Sequence, residues 1–101
     1  MQPRRSHLLP TREAAETLAV QALGFIAEDP HSLRRFLDTT GIAVEQVRAA
    51  ARQPGFLAGV LEHMLSDENL LLAFARAAGI DPAEVARAAS ALGGRWERDV
   101  P

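Results

Sequence analysis

The sequence predicts an all-α protein: a compact six-helix domain built as two three-helix units related by a pseudo-two-fold. Three observations carry this expectation. First, apolar residues recur at helical spacing through Ser66 to Gly94, with Leu70, Leu71, Phe74, Ala75 and Ala78 on one stripe and Val85, Ala88, Ala89 and Leu92 on the next. Second, the stripes are punctuated by helix starts and stops, such as Asp81-Pro82 and Gly79. Third, sliding the chain by about 38 residues lays Asp29 on Asp67, Leu33 on Leu71, Phe36 on Phe74 and Gly41-Ile42 on Gly79-Ile80. The same shift lays Val47 on Val85 and Ala50 on Ala88. A repeat of this length predicts two copies of one supersecondary unit, about residues 12–51 and 54–92.

Taken in order, residues 1–10 (MQPRRSHLLP) hold two prolines and no periodicity, and read as a flexible basic arm. Thr11 caps a first helix running to Glu28, with Ala15, Leu18, Ala19, Ala22, Leu23 and Ile26 inward and Glu13, Glu16 and Gln21 toward water. Val20 and Phe25 lie off that stripe, either packing on a second helix or marking an exposed apolar patch. Asp29-Pro30 starts a second helix to Thr40, with Leu33, Phe36 and Leu37 inward and Arg34-Arg35 outward. Gly41 ends it. A third helix from Val44 to Arg52 is expected to bury Val47 and Ala50, and Ala51 lies at the edge of its stripe.

Pro54 opens the fourth helix, where Phe56, Leu57, Val60, Leu61, Met64 and Leu65 form the most apolar face of the chain. Gly59 in its interior costs about 1 kcal/mol relative to Ala, which predicts a close helix–helix approach there. Ser66 is the expected N-cap of helix five, with Asp67 and Glu68 favouring the positive end of its dipole. Gly79 ends that helix. Asp81 is the expected N-cap of helix six, with Pro82 first and Glu84 closing a capping box, before Gly93-Gly94 stops the chain. The domain therefore spans 11–94, and 95–101 form a tail whose Trp96 either covers the end of the core or stays exposed.

Composition bounds what the chain can do. At 101 residues, 48% apolar and 24% charged, it has the make-up of one globular domain rather than a disordered segment. The net charge of −2 gives no electrostatic footprint for nucleic acid. Its sign is uneven: Arg4, Arg5 and Arg12 lead the chain, whereas residues 13–94 carry six arginines against eleven acids. The chain has no cysteine, which excludes disulfides and thiolate metal sites. No run approaches the roughly 20 apolar residues of a membrane span, so the expectation is a cytoplasmic protein with no membrane partner.

No constellation for catalysis, a cofactor or a metal is expected. His7, His31 and His63 lack the partners at helical spacing that a metal pair needs, and Glu62-His63 has only part of a zinc-helix motif. The paired acids Glu28-Asp29 and Asp67-Glu68 sit at helix starts, where capping explains them. Helix five, its turn and helix six have helix-turn-helix spacing at Ala75, Gly79 and Val85, nearly repeated by Leu37, Gly41 and Val47. The second helices begin with Glu84 and Glu45, which would repel phosphates, and Arg87 is the one base on the last helix.

The stretches LAVQALGFIAEDPHSLRRFLDTTGI and PGFLAGVLEHMLSDENLLLAFARAAGIDPAEV carry a further signal. Together with the spacing between them, they resemble a small alphaproteobacterial family classed only as a domain of unknown function. The resemblance covers about Thr11 to Gly94, and its most specific run is the FLxxVLxxxLxDExLLLAF pattern, from which this chain departs at Asn69. It implies a cytoplasmic bacterial protein in signalling or regulation, with no catalytic residue carried over.

Two functional expectations follow. The first is a non-enzymatic protein-interaction module, binding another protein or a second copy of itself. Leu70-Leu71-Leu72 cannot all face one core, because consecutive helical residues diverge by about 100°. Val20, Phe25, Leu72 and Trp96 are the candidate contact residues, with Arg34 and Arg35 as a charged rim. The alternative is a nucleic-acid-associated domain using the basic arm and the helix-turn-helix spacing.

Overall fold

In a computed structural model, residues 10–93 are described, and they contain six α-helices and no strand. The helices are α1 (Arg12–Glu28), α2 (Pro30–Thr40), α3 (Val47–Ala50), α4 (Pro54–Leu65), α5 (Glu68–Ala78) and α6 (Ala83–Ala91). A 3-10 turn, Val44–Gln46, leads into α3. The basic arm up to Leu9 and the tail holding Trp96 lie outside the described residues.

Local chemistry sets the boundaries. Thr11 Oγ1 accepts from the Ala14 N–H at 3.0 Å and starts α1. Asp29 is extended and accepts from the Ser32 N–H at 3.3 Å and the Ser32 hydroxyl at 2.9 Å, with Pro30 at the first position of α2. Gly41 ends α2 at φ 74° and Gly79 ends α5 at φ 71°, both left-handed. After Gly79 the Ile80 N–H reaches back to the Ala75 carbonyl at 3.0 Å, and half-buried Ile80 packs on the core.

Two boundaries differ from expectation. The N-cap of α5 is Asp67, not Ser66: Asp67 is extended and accepts from the Leu70 N–H at 3.2 Å. Ser66 stays right-handed as the end of α4, where its hydroxyl donates to the His63 carbonyl at 2.6 Å. At α6, Asp81 Oδ1 accepts from the Ala83 N–H at 2.9 Å, but Pro82 only bridges the turn and the helix starts at Ala83. Glu84 does not close a capping box.

The core lies where α1, α4 and α6 pack against one another. Each contributes a buried stripe: Ala15, Ala19, Ala22, Leu23 and Ile26 from α1, and Leu57, Ala58, Val60, Leu61 and Met64 from α4. Val85, Ala88 and Ala89 come from α6, with Leu92 just beyond it. Five of the eight buried residues within α1 and α6 are alanines. The outer helices send in fewer residues: α5 contributes Phe74 and Ala75, and α2 contributes Phe36 alone.

The third helix is the main departure from the sequence reading. It is one turn long, none of its residues is buried, and Val47, Ala50 and Ala51 are half-buried rather than core. Val85 and Ala88, the residues that the 38-residue shift pairs with Val47 and Ala50, are buried in a nine-residue helix. The correspondence along the chain therefore holds for caps and turns (Asp29 with Asp67, Gly41 with Gly79) and not for what the third helices bury. Pro54, which begins α4 so soon after Ala50, cuts α3 short. Gly59 also differs from expectation, since a Cβ there would meet nothing within 4 Å, so no close approach requires it.

Candidate functional site

The six surface candidates fall in different places. Val20 is 48% exposed and Leu72 44%, so neither is taken up by the core. Phe25 is half-buried, its ring 5.5 Å from that of Phe74 on α5. Val20 and Phe25 are five residues apart on α1, which turns them about 140° from one another, on opposite flanks of its buried stripe. Arg34 and Arg35 are exposed, and Trp96 lies outside the described residues. Of the three leucines at 70–72, Leu70 and Leu71 are half-buried and Leu72 points out. Val44, in the 3-10 turn, is a further exposed apolar residue at 54%, one that periodicity within an assumed third helix could not single out.

Val20 belongs to a groove. Glu13, Glu16, Thr17, Val20 and Gln21 form one wall from α1, Ala51 and Arg52 form the other just past α3, and Leu57 of α4 lies between them. The groove is open to solvent and holds about 580 Å³. Ala50 and Ala51, at the end of the single-turn α3, are half-buried beside it. The chemistry of the groove is mixed: Val20, Ala51 and Leu57 are its apolar lining, Glu13 and Glu16 bring two carboxylates from α1, and Arg52 brings a guanidinium. Neither glutamate is ion-paired to Arg52. Sequence periodicity assigned Glu13 and Gln21 to water correctly, whereas Glu16 is half-buried. Periodicity gave no sign that all three share a groove with Arg52.

A second polar cluster joins α2, α4 and α5. The Arg35 guanidinium lies 3.5 Å from Asp67 Oδ2, while Oδ1 of the same carboxylate caps α5. Beside them the half-buried His63 ring stands edge-on to Phe36, with centroids 5.1 Å apart. Burial holds His63 below its ordinary value; Asp67 works against that shift and Arg35 adds to it. Elsewhere, the Ser32 hydroxyl donating to Asp29 holds that carboxyl low, as expected of a cap.

The helix-turn-helix spacing leads to a helix that faces inward. α6 spends Val85, Ala88 and Ala89 on α1 and α4, and leaves Ala83, Glu84, Ala86 and Ser90 exposed, with Arg87 half-buried. That surface offers an acid and small side chains where a DNA reader needs donors and bases. Among the described residues, no three histidines or acids converge to hold a metal ion, and no helix is long and apolar enough to cross a membrane.

No curated protein and no solved structure matches the chain. Its helical body does match a family model over residues 12–95, from the start of α1 to just beyond the last described residue, and the chain belongs to that family, the proteins of unknown function DUF3572.

Proposed function

We propose that this chain is a non-enzymatic, cytoplasmic protein-interaction module of bacterial signalling or regulation, and that the groove between α1 and the α3–α4 connection is its docking site. The observation that carries the reading is Val20. A β-branched apolar side chain stands 48% exposed over Leu57 and Ala51, between two glutamates and an arginine that do not neutralise one another. The occupant we propose is a short segment of another protein, matched to the open groove and its mixed lining. Charge complementarity defines that segment: an apolar side chain over Val20, a basic residue toward Glu13 and Glu16, and a carboxylate toward Arg52.

The test is site-specific photo-crosslinking in the native cell, with the reactive side chain at position 20 and, as a control, at position 72. The expected result is an adduct from position 20 that disappears in Arg52→Glu, with a cross-linked peptide holding an apolar residue flanked by a base. Equal labelling from both positions, or an adduct indifferent to Arg52→Glu, would remove the groove as the docking site. Salt-sensitive binding of duplex DNA lost with Arg48→Glu would replace the reading by the nucleic-acid one.

A further inference from the structure

The polar cluster at the α2–α4–α5 junction lies apart from the groove, which no residue of α2 lines. α2 packs along α1 and sends only one side chain fully into the core. Its one buried residue is Phe36, whose ring meets Phe56 at 5.8 Å and His63 at 5.1 Å, both near edge-on and both on α4. Phe56 and His63 are seven residues apart, two turns along one flank of α4, and form a slot that the Phe36 ring fills. Leu33 and Leu37 are only half-buried. The second fastening is the Arg35–Asp67 pair, with Arg35 itself largely exposed. The helix is bounded by extended Asp29 before Pro30 and by left-handed Gly41, so the chain bends at both ends. Such an element can open as a unit at a fraction of the cost of global unfolding.

We propose that α2 is a strap that opens in mild acid: a proton on His63 sets a second cation beside Arg35, draws on the carboxylate that Arg35 uses, and loosens the slot that holds Phe36. Three charged or aromatic groups face His63 from the packed elements: Arg35 and Phe36 from α2, and Asp67 from the start of α5. Burial disfavours the charged ring in the closed state, whereas the opened state solvates it. The strap is closed above the ordinary histidine value of about 6.5 and opens progressively as the pH falls below it. Opening uncovers on α4 an apolar slot one aromatic ring wide, between Phe56 and His63, and leaves the α1–α4–α6 core in place.

The test is amide hydrogen exchange on the full chain at about pH 7.5 and about pH 5.5, corrected for intrinsic rates. The expected result is that α2 exchanges through an opening below the free energy of the α1–α4–α6 core, with protection that falls by at most about tenfold per pH unit, the ceiling for one linked proton. His63→Phe keeps an aromatic wall that cannot be charged, and should leave α2 equally protected at both values. If that variant does not fold, the wild-type His63 ring titration substitutes, and its midpoint must lie below the ordinary value and coincide with the α2 transition. Exchange of α2 only through the global opening shared with α1, α4 and α6, protection in α2 that ignores pH, or the same loss in His63→Phe would each overturn the proposal.

Discussion

Arg35 on α2 and Asp67 at the head of α5 lie 3.5 Å apart, and the same Asp67 carboxylate accepts the Leu70 N–H at 3.2 Å. One side chain thus starts a helix and ties a second helix to it. The two roles differ in energy. A good N-cap contributes about 1 kcal/mol, whereas an ion pair with one partner 69% exposed contributes about 0–1 kcal/mol.

That difference separates two substitutions. Asp67→Ala removes cap and pair, and should cost about 1 kcal/mol or somewhat more in urea denaturation. Asp67→Ser retains an oxygen for the Leu70 N–H and should recover most of that loss. A serine variant as unstable as the alanine variant would place the energy in the Arg35 contact instead.

Two glycines should respond in opposite directions. At Gly59, inside α4, an added Cβ meets nothing within 4 Å, so Gly59→Ala should stabilise by about 1 kcal/mol through helix propensity. Gly79 also has open space around it but sits at φ 71°, and Gly79→Ala should destabilise by about 1–2 kcal/mol. Thermal melts of the two variants would fall on either side of the wild type.

Stability should also fall on mild acidification, independently of any local opening. His63 is held low in the folded chain, chiefly by burial, so the unfolded chain takes up a proton more readily. The His63 contribution is therefore complete above about pH 6.5 and is lost as the pH drops toward the lower folded value. Melting temperatures between about pH 7.5 and 5.5 should decline in the wild type and flatten in His63→Phe. A decline identical in both proteins would assign it to other groups.

Much of the fold was legible along the chain because its signals are local. Thr11, Asp29-Pro30, Gly41 and Gly79 act within one turn of themselves, and each does in the structure what its chemistry implies. The α6 stripe of Val85, Ala88, Ala89 and Leu92 is buried as its spacing predicts. The reading failed where two local signals competed. Ser66 and Asp67 are both good caps, and which residue leaves the right-handed region depends on how α4 ends. The candidate site was legible only through Val20, since Ala51, Arg52 and Leu57 lie more than thirty residues further on and share no periodicity with it.

The sequence by itself determined an all-helical chain, the start and stop of most helices, and most of the stripe that α1, α4 and α6 bury. These follow from backbone capping, glycine conformation and the 3.6-residue period, all of which act over a few residues. Only the tertiary structure decided that α1, α4 and α6 make the core, that α3 stays outside it, and that α2 buries Phe36 alone. It also decided that the 38-residue correspondence does not give the third helices equal roles. The reason is that burial is settled by which helices win the limited space around α4. A one-turn helix has too little apolar surface to compete for it.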